Sequence, residues 1–180
     1  VTESQAAFDQ VQMSPKTVGS YSDISRKLLL QSSIDIEGFV RNDLAMRLAM
    51  AIDLAAIAGT GSSNQPTGIL ATTGIGAKTF AAIGNPTFGE MVDVESQVSV
   101  DNALFGSLAY VSTAAMAGAM KQKAKDSGSG QFVMANNQVN GYNMAVTNQM
   151  TANTVVFGNF ADLIIGMWGG LDINVDTSTG

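Results

Sequence analysis

Two residue types are missing from this 180-residue sequence, which contains no cysteine and no histidine. Without cysteine the chain cannot form a disulfide, a thiolate nucleophile or a thiolate metal site. Without histidine it lacks the commonest general base and the commonest metal ligand of proteins. Hydrolytic or metal chemistry would have to depend on carboxylates, lysines and hydroxyl groups. The two absences therefore favour a structural role over an enzyme.

Charged residues are scarce as well. They make up 13% of the chain, about half the usual share, and the formal net charge is −6. The nearest approach to a basic run is Lys121, Lys123 and Lys125, which fall in the last turns of a predicted helix, where positive charge suits the helix dipole. The sequence thus has no electrostatic footprint for gripping nucleic acid. So little surface charge predicts association with other chains.

Long apolar runs are also absent. No segment reaches the roughly 20 apolar residues that span a membrane, and no signal peptide opens the chain, so no membrane partner is predicted. The apolar fraction of 46% is enough for a core, and the length fits one domain or one domain with an inserted lobe. Because the chain starts at Val1 rather than at Met, we expect it to be a fragment.

The stretch that organises the rest of the chain is a predicted helix from Ile36 to Ala58. Ser32 together with Asp35, or Asp35 alone, can accept hydrogen bonds from its first free N–H groups, and Gly59 is expected to end it in the left-handed conformation. Apolar residues recur three or four positions apart, which places them on one helix face that we expect to be buried on a sheet. Its members are Ile36, Val40, Leu44, Leu48, Ile52 and Ala55.

Methionines at helical spacing are predicted to fill the core. Met is flexible and fits irregular gaps between packed elements. The residues concerned are Met46 and Met50 on the long helix and Met116 and Met120 on a later one.

The rest of the chain reads as helices early and strands late, which indicates an α+β fold. The pair Thr87 and Glu90 forms a capping box that predicts a helix to about Val100. Asn140-Gly141 and Gly169-Gly170 are tight hairpin signals. Further helices are predicted at 24–31 and 114–125, and strands or extended pieces at 6–13, 68–70, 78–83, 107–111, 132–134, 144–146, 154–157, 163–168 and 171–175.

Gly84-Asn85-Pro86 marks the predicted boundary between two lobes. The division gives residues 1–84, which carry the long helix, and residues 85–180. The C-terminal part of the second range either stays in its own lobe or returns to the first.

Two loops invite a catalytic or binding interpretation. The Gly59–Gly68 loop resembles a phosphate loop, but Ile69 follows its last glycine where a lysine is needed, and the loop leaves a helix instead of entering one. Ser112, Ser127 and Ser129 have neither a histidine partner nor a nucleophile elbow. A flexible loop and a helix cap explain them better.

Carboxylate pairs are the remaining candidates for acid–base work or for Mg²⁺ binding. Residues two apart on a helix point in divergent directions, so such pairs are better explained as caps and solvated faces. No catalytic, cofactor-binding or metal-ligating residue is therefore predicted. The helical pairs are Asp35 with Glu37 and Asp93 with Glu95, while Asp172 and Asp176 lie on or just after a late predicted strand.

Arg41, Asp43 and Arg47 are predicted to share the polar side of the long helix. A solvated face with weak ion pairs would explain them. A contact surface for a neighbouring subunit would explain them equally well, because a chain this low in charge has few charges to place. Both interpretations stay open at this point.

An ordered series of short motifs resembles the major capsid proteins of tailed phages, which share the Hong Kong ninety-seven capsid fold. In that family a long spine helix ends in a Gly-x-Gly loop followed by Pro-x-Gly-Ile. The matching segments here are Phe8-x-x-Val11-x-Met13-x-Pro15-Lys16, Ile24–Leu29, Asp35–Val40, Gly59-Thr60-Gly61 and Pro66–Leu70. Looser matches are Ala109–Ser112 with its helix, Asn140–Met144 and Phe157–Phe160.

The resemblance implies a structural subunit with no cofactor. A peripheral lobe would carry the spine helix packed on a sheet, and a mixed α/β axial lobe would begin near Pro86. Copies would form hexamers and pentamers of an icosahedral phage or prophage shell that encloses DNA without specific binding. Scaffold and portal proteins would be its partners, and assembly would occur in the cytoplasm of the bacterial host.

Two alternatives remain at this stage. An encapsulin-type bacterial compartment shell has the same fold, and an enzyme or ligand-binding module could be built from the same elements. The resemblance also implies that an N-terminal arm, most of an extended loop and the last peripheral strands are missing from this chain.

Overall fold

A computed structural model of the chain describes residue 10 and residues 12–31 and 35–174. Within this part the α+β composition predicted from the sequence is confirmed. The helices are α1 (Arg26–Gln31), α2 (Ile36–Ala58), α3 (Phe88–Val100) and α4 (Ala114–Gln122). The strands are β1 (Leu108–Ser112), β2 (Gln138–Val139), β3 (Tyr142–Val146) and β4 (Val155–Asn159). Short 3₁₀ turns occupy Ile69–Ala71 and Phe160–Asp162.

The four strands form one sheet in the order β2-β3-β1-β4. β1 lies parallel to β3 and antiparallel to β4, so Tyr110 has Met144 on one side and Phe157 on the other. A parallel pair needs a crossover, which α4 and the segment after it provide. The central strand β1 is therefore the element on which this region is built.

The core lies on one face of this sheet. Side chains alternate between faces along a strand, and the buried strand residues Tyr110, Met144 and Phe157 all occupy the same face. The Tyr110 ring lies 4.4 Å from the Phe157 ring, measured between centroids. Helices complete the same cluster, to which α3 contributes Met91 and α4 contributes Met116, Ala117 and Met120. We call residues 86–160, which hold this cluster, the sheet region.

The predicted capping box of α3 is confirmed. Thr87 Oγ1 accepts a hydrogen bond from the Glu90 backbone N–H at 3.2 Å, and the Glu90 carboxylate accepts one from the Thr87 backbone N–H at 2.7 Å. One turn along, the Tyr110 hydroxyl donates to the Met91 carbonyl at 3.1 Å. This bond satisfies a buried hydroxyl and ties the helix to the central strand.

Helix α4 begins at Ala114 as predicted, with Thr113 as its cap, but ends at Gln122 and not at Lys125. The reason is a competing backbone interaction. The Lys123 carbonyl accepts a hydrogen bond from the Val133 N–H, and the Lys125 N–H donates to the Gln131 carbonyl. These bonds turn residues 123–125 away from the helix axis.

The predicted turn at Asn140-Gly141 joins β2 to β3. Both residues have positive φ, 49° and 83°, as a type I′ hairpin turn requires. The Asn140 side chain donates to a Glu95 carboxylate oxygen, and the Tyr142 hydroxyl donates to the other at 3.3 Å. Glu95 therefore anchors the hairpin to α3.

Helix α2 has the predicted bounds and the predicted cap, since Asp35 accepts from the Gly38 N–H at 2.9 Å. The expectation that its apolar face is buried on a sheet is wrong. Val40, Leu44, Leu48 and Ile52 are only half-buried, and no residue of α2 is buried by the described part of the chain. The element that it contacts most is the turn Ile69–Ala71, which is too short to cover a helix of 23 residues.

Gly59 ends α2, but not in the left-handed conformation that the sequence favoured. Its φ and ψ are −58° and 136°, which any residue can adopt. Glycine is needed for a different reason, because a Cβ here would collide with the carbonyl oxygens of Ala55 and Pro66. The loop folds back so closely that the Gly68 N–H donates to the Gly59 carbonyl at 2.8 Å.

Several predicted strands are not strands. Residues 132–134 make one isolated bridge, residues 68–70 lead into a 3₁₀ turn, and residues 78–83 and 163–168 are irregular. Residues 171–174 are irregular too, so the Gly169-Gly170 signal makes no hairpin within the described chain. Apolar and β-branched segments become strands only when a partner edge is available. Most of the strand predicted at 6–13, and residue 175, lie outside the described residues.

Candidate assembly surfaces

The described residues contain no group of three or more acidic side chains able to hold a metal ion. The carboxylates singled out from the sequence have structural partners instead. Asp93 pairs with Lys78 at 2.7 Å, and Glu95 holds the hairpin. Asp172 accepts a hydrogen bond from Asn174, while Asp176 lies outside the described residues.

Two of the candidate serines and the glycine loop likewise form hydrogen bonds within the fold. Ser112 is fully buried, and its hydroxyl donates to the Thr154 carbonyl at 2.8 Å. The Ser129 hydroxyl accepts from the Gln131 N–H at 3.2 Å. In the Gly59–Gly68 loop the Gly61 N–H donates to the Pro66 carbonyl at 3.1 Å. This internal bonding leaves the loop no phosphate-binding geometry.

Two perturbed side chains in the sheet region also have structural causes. The N–H groups of Thr87 and Ala81, at 2.7 and 2.6 Å from its oxygens, hold the pKa of Glu90 below its ordinary value. Burial raises the pKa of Tyr110, which stays neutral and serves as a hydrogen-bond donor. Both shifts are therefore explained by hydrogen bonds or burial that belong to the fold.

Arg41, Asp43 and Arg47 are not brought together on one side of α2. Arg41 pairs with Glu37 at 2.6 Å, and Arg47 pairs with Asp43 at 2.7 Å. At 3.6 residues per turn the two pairs lie on different sides of the axis. All four side chains remain largely in solvent, so both pairs are free to meet a neighbour.

A second apolar face runs along α2 beside the Asp43–Arg47 pair. Phe39 is 68% exposed and Met46 is 63% exposed, and Met50 and Leu54 continue the same side. The prediction that Met46 and Met50 fill a core is therefore wrong, whereas the same prediction for Met116 and Met120 is confirmed. Sequence reasoning missed this face because its spacing is the same as that of a core-facing one. We call residues Phe39, Met46, Met50 and Leu54 the outer face of α2.

The segment that follows β4 is also apolar and exposed. Residues 163–168 read LIIGMW, and five of the six are apolar side chains largely in solvent. A surface with this much uncovered apolar area marks an interaction site in a soluble protein. No helix in the described chain is long and apolar enough to cross a membrane.

Comparison with known proteins identifies the family to which this chain belongs. The profile of the phage capsid family matches residues 1–179. The chain belongs to the phage capsid family. Among similar proteins in this family is the major capsid protein of Halomonas phage phiHAP-1, which is 37% identical over 179 residues. That alignment covers 98% of this chain and 29% of the relative, so the chain spans less than a third of that relative's length.

A solved capsid has the same fold. The capsid of a native GTA particle matches this chain with a TM-score of 0.60 and 23% identity. The match covers 76% of this chain and 53% of the other. The predicted capsid fold is confirmed, and neither of the two named relatives supports the encapsulin-type alternative.

Proposed function

We propose that this chain is part of a phage or prophage major capsid protein and packs against copies of itself in an icosahedral shell. The observation that carries the proposal is the outer face of α2, an apolar surface on the longest helix of a chain in the phage capsid family. Burying such a face against a neighbour removes it from water, which is the dominant favourable term in protein association.

The subunit contact includes Arg41, Asp43 and Arg47. The Asp43–Arg47 pair lies beside the outer face, where a polar rim surrounds an apolar contact in typical interfaces. The Arg41–Glu37 pair lies on another side and would meet a different neighbour. In a shell each subunit has several neighbours, so contacts on two sides of one helix are expected.

The remaining parts of the proposal concern partners and location. The shell encloses DNA without specific binding, and the net charge of −6 supports this part of the proposal. Scaffold and portal proteins of the same phage are its further partners, and assembly takes place in the cytoplasm of the bacterial host before the protein resides in the virion.

We further propose that the chain itself catalyses no reaction. Asp35, Glu37, Asp93 and Glu95 are each held by a hydrogen bond or an ion pair. A broad hydrolase screen should give no turnover that survives repurification. Turnover that is lost in Glu95→Gln or Asp93→Asn would contradict this part of the proposal.

Self-association tests the proposal as a whole. Sedimentation velocity over a wide concentration range should show monomers in exchange with small oligomers, because contacts well below about 1,000 Å² are usually transient. The variant Phe39→Ser/Met46→Ser/Met50→Ser should shift this exchange towards monomer. The matched control changes Asn42, Ala49 and Asp53 to serine, since these residues are also exposed on α2 but contribute no large apolar side chain to its surface.

A protein that stays strictly monomeric at every concentration would contradict the proposal. Equal association of the two triple variants would show that the outer face is not a contact surface, while leaving self-association itself intact.

A further inference from the structure

An open groove runs along the solvent side of α4. Its floor is formed by Ala114, Ala115, Gly118 and Ala119, its rim includes Asn85 and Lys123, and its volume is about 460 Å³. A Cβ placed on Gly118 would meet nothing within 4 Å, so the floor has room for an inserted side chain. The side chains that line it from α4 are small and mostly apolar, which suits a bulky apolar residue from outside.

The flank of the groove is basic. Lys121 is exposed and has no hydrogen-bond or ion-pair partner among the described residues. The Lys123 ammonium donates to the Asn85 carbonyl at 2.9 Å, and the Lys125 ammonium lies 3.9 Å from the centre of the Phe88 ring. Two acids lie near these three lysines, Asp126 in the sequence and Glu90, whose carboxylate interacts with Lys123, so the flank keeps an excess of one positive charge.

An exposed apolar surface that carries a negative charge lies at the C-terminal end of α3. Val100 is 79% exposed and Phe105 is 62% exposed, and Leu104 lies beside them. Asp101, the C-cap of α3, is the one charged residue between Val100 and Ser107. An acid at the C-terminal end of a helix opposes the helix dipole, so this position is unfavourable within the chain. We call residues 100–105 the acidic loop.

One copy cannot use its own acidic loop to fill its own groove. Phe88, the first residue of α3, is in contact with Lys125, two residues beyond Lys123 on the groove rim, whereas Asp101 follows the last residue of α3. A helix of 13 residues is about 20 Å long, which separates the two surfaces within one molecule.

We propose that the acidic loop of one copy docks in the α4 groove of a second copy, with Phe105 against Gly118 and Asp101 beside Lys121. Charge complementarity favours this head-to-tail contact, because groove on groove would bring lysines together and loop on loop would bring acids together. The contact joins two different surfaces, so it can repeat around a closed ring. The inference rests on the proposed function, since it names where copies of the chain meet.

Cysteine crosslinking tests the contact directly, because the natural sequence contains no cysteine. Val100→Cys places a thiol on the exposed end of α3, and Gln122→Cys places one on the groove rim, so both leave Phe105, Asp101 and the groove floor intact. With a short bis-maleimide, a mixture of the two single variants should give dimers and nothing larger. The double variant should give a ladder of trimers and higher species.

Neither single variant should crosslink when it is alone. Dimers from one single variant alone, at the yield of the mixture, would overturn the head-to-tail arrangement. An absence of crosslinks in the mixture would overturn the contact itself.

Filling the groove should remove the crosslinks. Gly118→Leu, added to the Gln122→Cys variant, should reduce the dimer yield at least fivefold. The matched control is Gly89→Leu, because Gly89 is also a helical glycine with open space at its Cβ but lies on α3. Circular dichroism should show both variants folded, since replacing a helical glycine without a clash favours the helix. Equal yields with the two variants would overturn the inference.

Charge exchange gives a second, independent readout. Asp101→Lys in the loop partner should weaken crosslinking about fivefold, the upper end of what one exposed ion pair contributes. Lys121→Glu in the groove partner should restore it. If Asp101→Lys combined with Lys121→Glu does not restore the crosslink yield, Asp101 and Lys121 do not pair in the contact.

The failure of this inference can be separated from failure of the proposed function. Amine-reactive crosslinking of the unaltered protein reports self-association of any geometry. If it gives oligomers while the cysteine mixture gives none, the copies associate through other surfaces. If neither gives oligomers, the proposed function fails together with the inference.

Discussion

Helices α2 and α4 carry the same kind of methionine pair with opposite outcomes. Met116 and Met120 on α4 are 1% and 0% exposed, whereas Met46 on α2 is 63% exposed. Both pairs are four residues apart on a helix rich in alanine. The difference is what lies across from them, since α4 contributes to a cluster with a sheet and α2 has a short turn as its main contact. Burial is thus decided by the partner surface and not by the pattern on the helix.

The sheet region and α2 are expected to contribute unequally to the stability of the chain. The sheet region holds the buried aromatic and methionine cluster and should unfold as one cooperative unit. Helix α2 lacks a cover within the described chain and depends on its own hydrogen bonds. In the proposed shell this helix would gain its cover on assembly.

The largest expected effect is a core truncation in the sheet region. Phe157 packs against the rings of Tyr110 and Tyr142, so Phe157→Ala should lower the free energy of unfolding by about 3–5 kcal/mol. Phe39→Ala removes the same ring from the exposed face of α2 and should cost less than about 0.5 kcal/mol. Urea denaturation followed by circular dichroism measures both. Similar losses of unfolding free energy in the two variants would contradict the expected difference between the sheet region and α2.

Removing a helix cap should have a moderate effect that again differs between the regions. Thr87→Ala deletes the cap of α3 and should destabilise the cooperative unit by about 1 kcal/mol. Asp35→Ala deletes the cap of α2 and should lower helix content without moving the main unfolding transition. Thermal melts recorded by near-UV and far-UV circular dichroism separate the two. If Asp35→Ala shifts the main unfolding transition, α2 unfolds together with the sheet region and the expectation is wrong.

The sheet region should also carry an acid-sensitive contribution through Glu90. Its pKa is lower in the folded chain than in the unfolded chain, because the Thr87 and Ala81 N–H groups stabilise the carboxylate. The unfolded chain therefore binds the proton more readily, and the contribution is complete above the ordinary glutamate pKa. It is lost as the pH falls through the folded pKa.

Glu90→Gln should flatten that part of the stability–pH curve below about pH 5. Denaturation curves at several pH values make the comparison. Glu37→Gln on α2 is the control, because Glu37 is an exposed carboxylate paired only with Arg41. An unchanged curve for Glu90→Gln would show that these hydrogen bonds do not stabilise the fold.

The smallest expected effects are those of the ion pairs on α2. Arg41→Ala and Arg47→Ala should each change the free energy of unfolding by at most about 0.5 kcal/mol, since both pairs are exposed. Their effect on self-association should be larger than their effect on stability if these residues contact a neighbouring subunit. Sedimentation velocity and denaturation of the same variants provide the two numbers. If a variant loses stability but associates as before, the ion pairs stabilise the helix and do not contact a neighbouring subunit.

Local signals in the sequence were sufficient where a side chain and its partner are close in the chain. The capping box at Thr87, the cap at Asp35 and the Asn140-Gly141 turn all form as predicted. Each depends on hydrogen bonds within four residues or on one dihedral preference. The bounds of α2 follow for the same reason.

Predictions that depended on a partner distant in the sequence were less accurate. Val40 and Leu48 have the spacing of a buried face, but nothing in their neighbourhood along the chain tells whether a sheet lies across from them. The end of α4 is set by Gln131 and Val133, whose backbone groups draw residues 123–125 out of the helix. The proposed groove contact depends on a second molecule, which a single sequence does not contain. The division into lobes at Gly84-Asn85-Pro86 stays a prediction.

Hydrogen exchange measured by mass spectrometry tests the central claim most directly. In dilute protein the amides of α3, β1 and α4 should be protected up to the global free energy of unfolding, while those of α2 exchange faster by orders of magnitude. Raising the protein concentration into the associating range should slow exchange in α2 and leave the core of the sheet region unchanged. Amides of α2 that are as protected as those of β1 in dilute protein would contradict the account, because the helix would then be covered within its own chain.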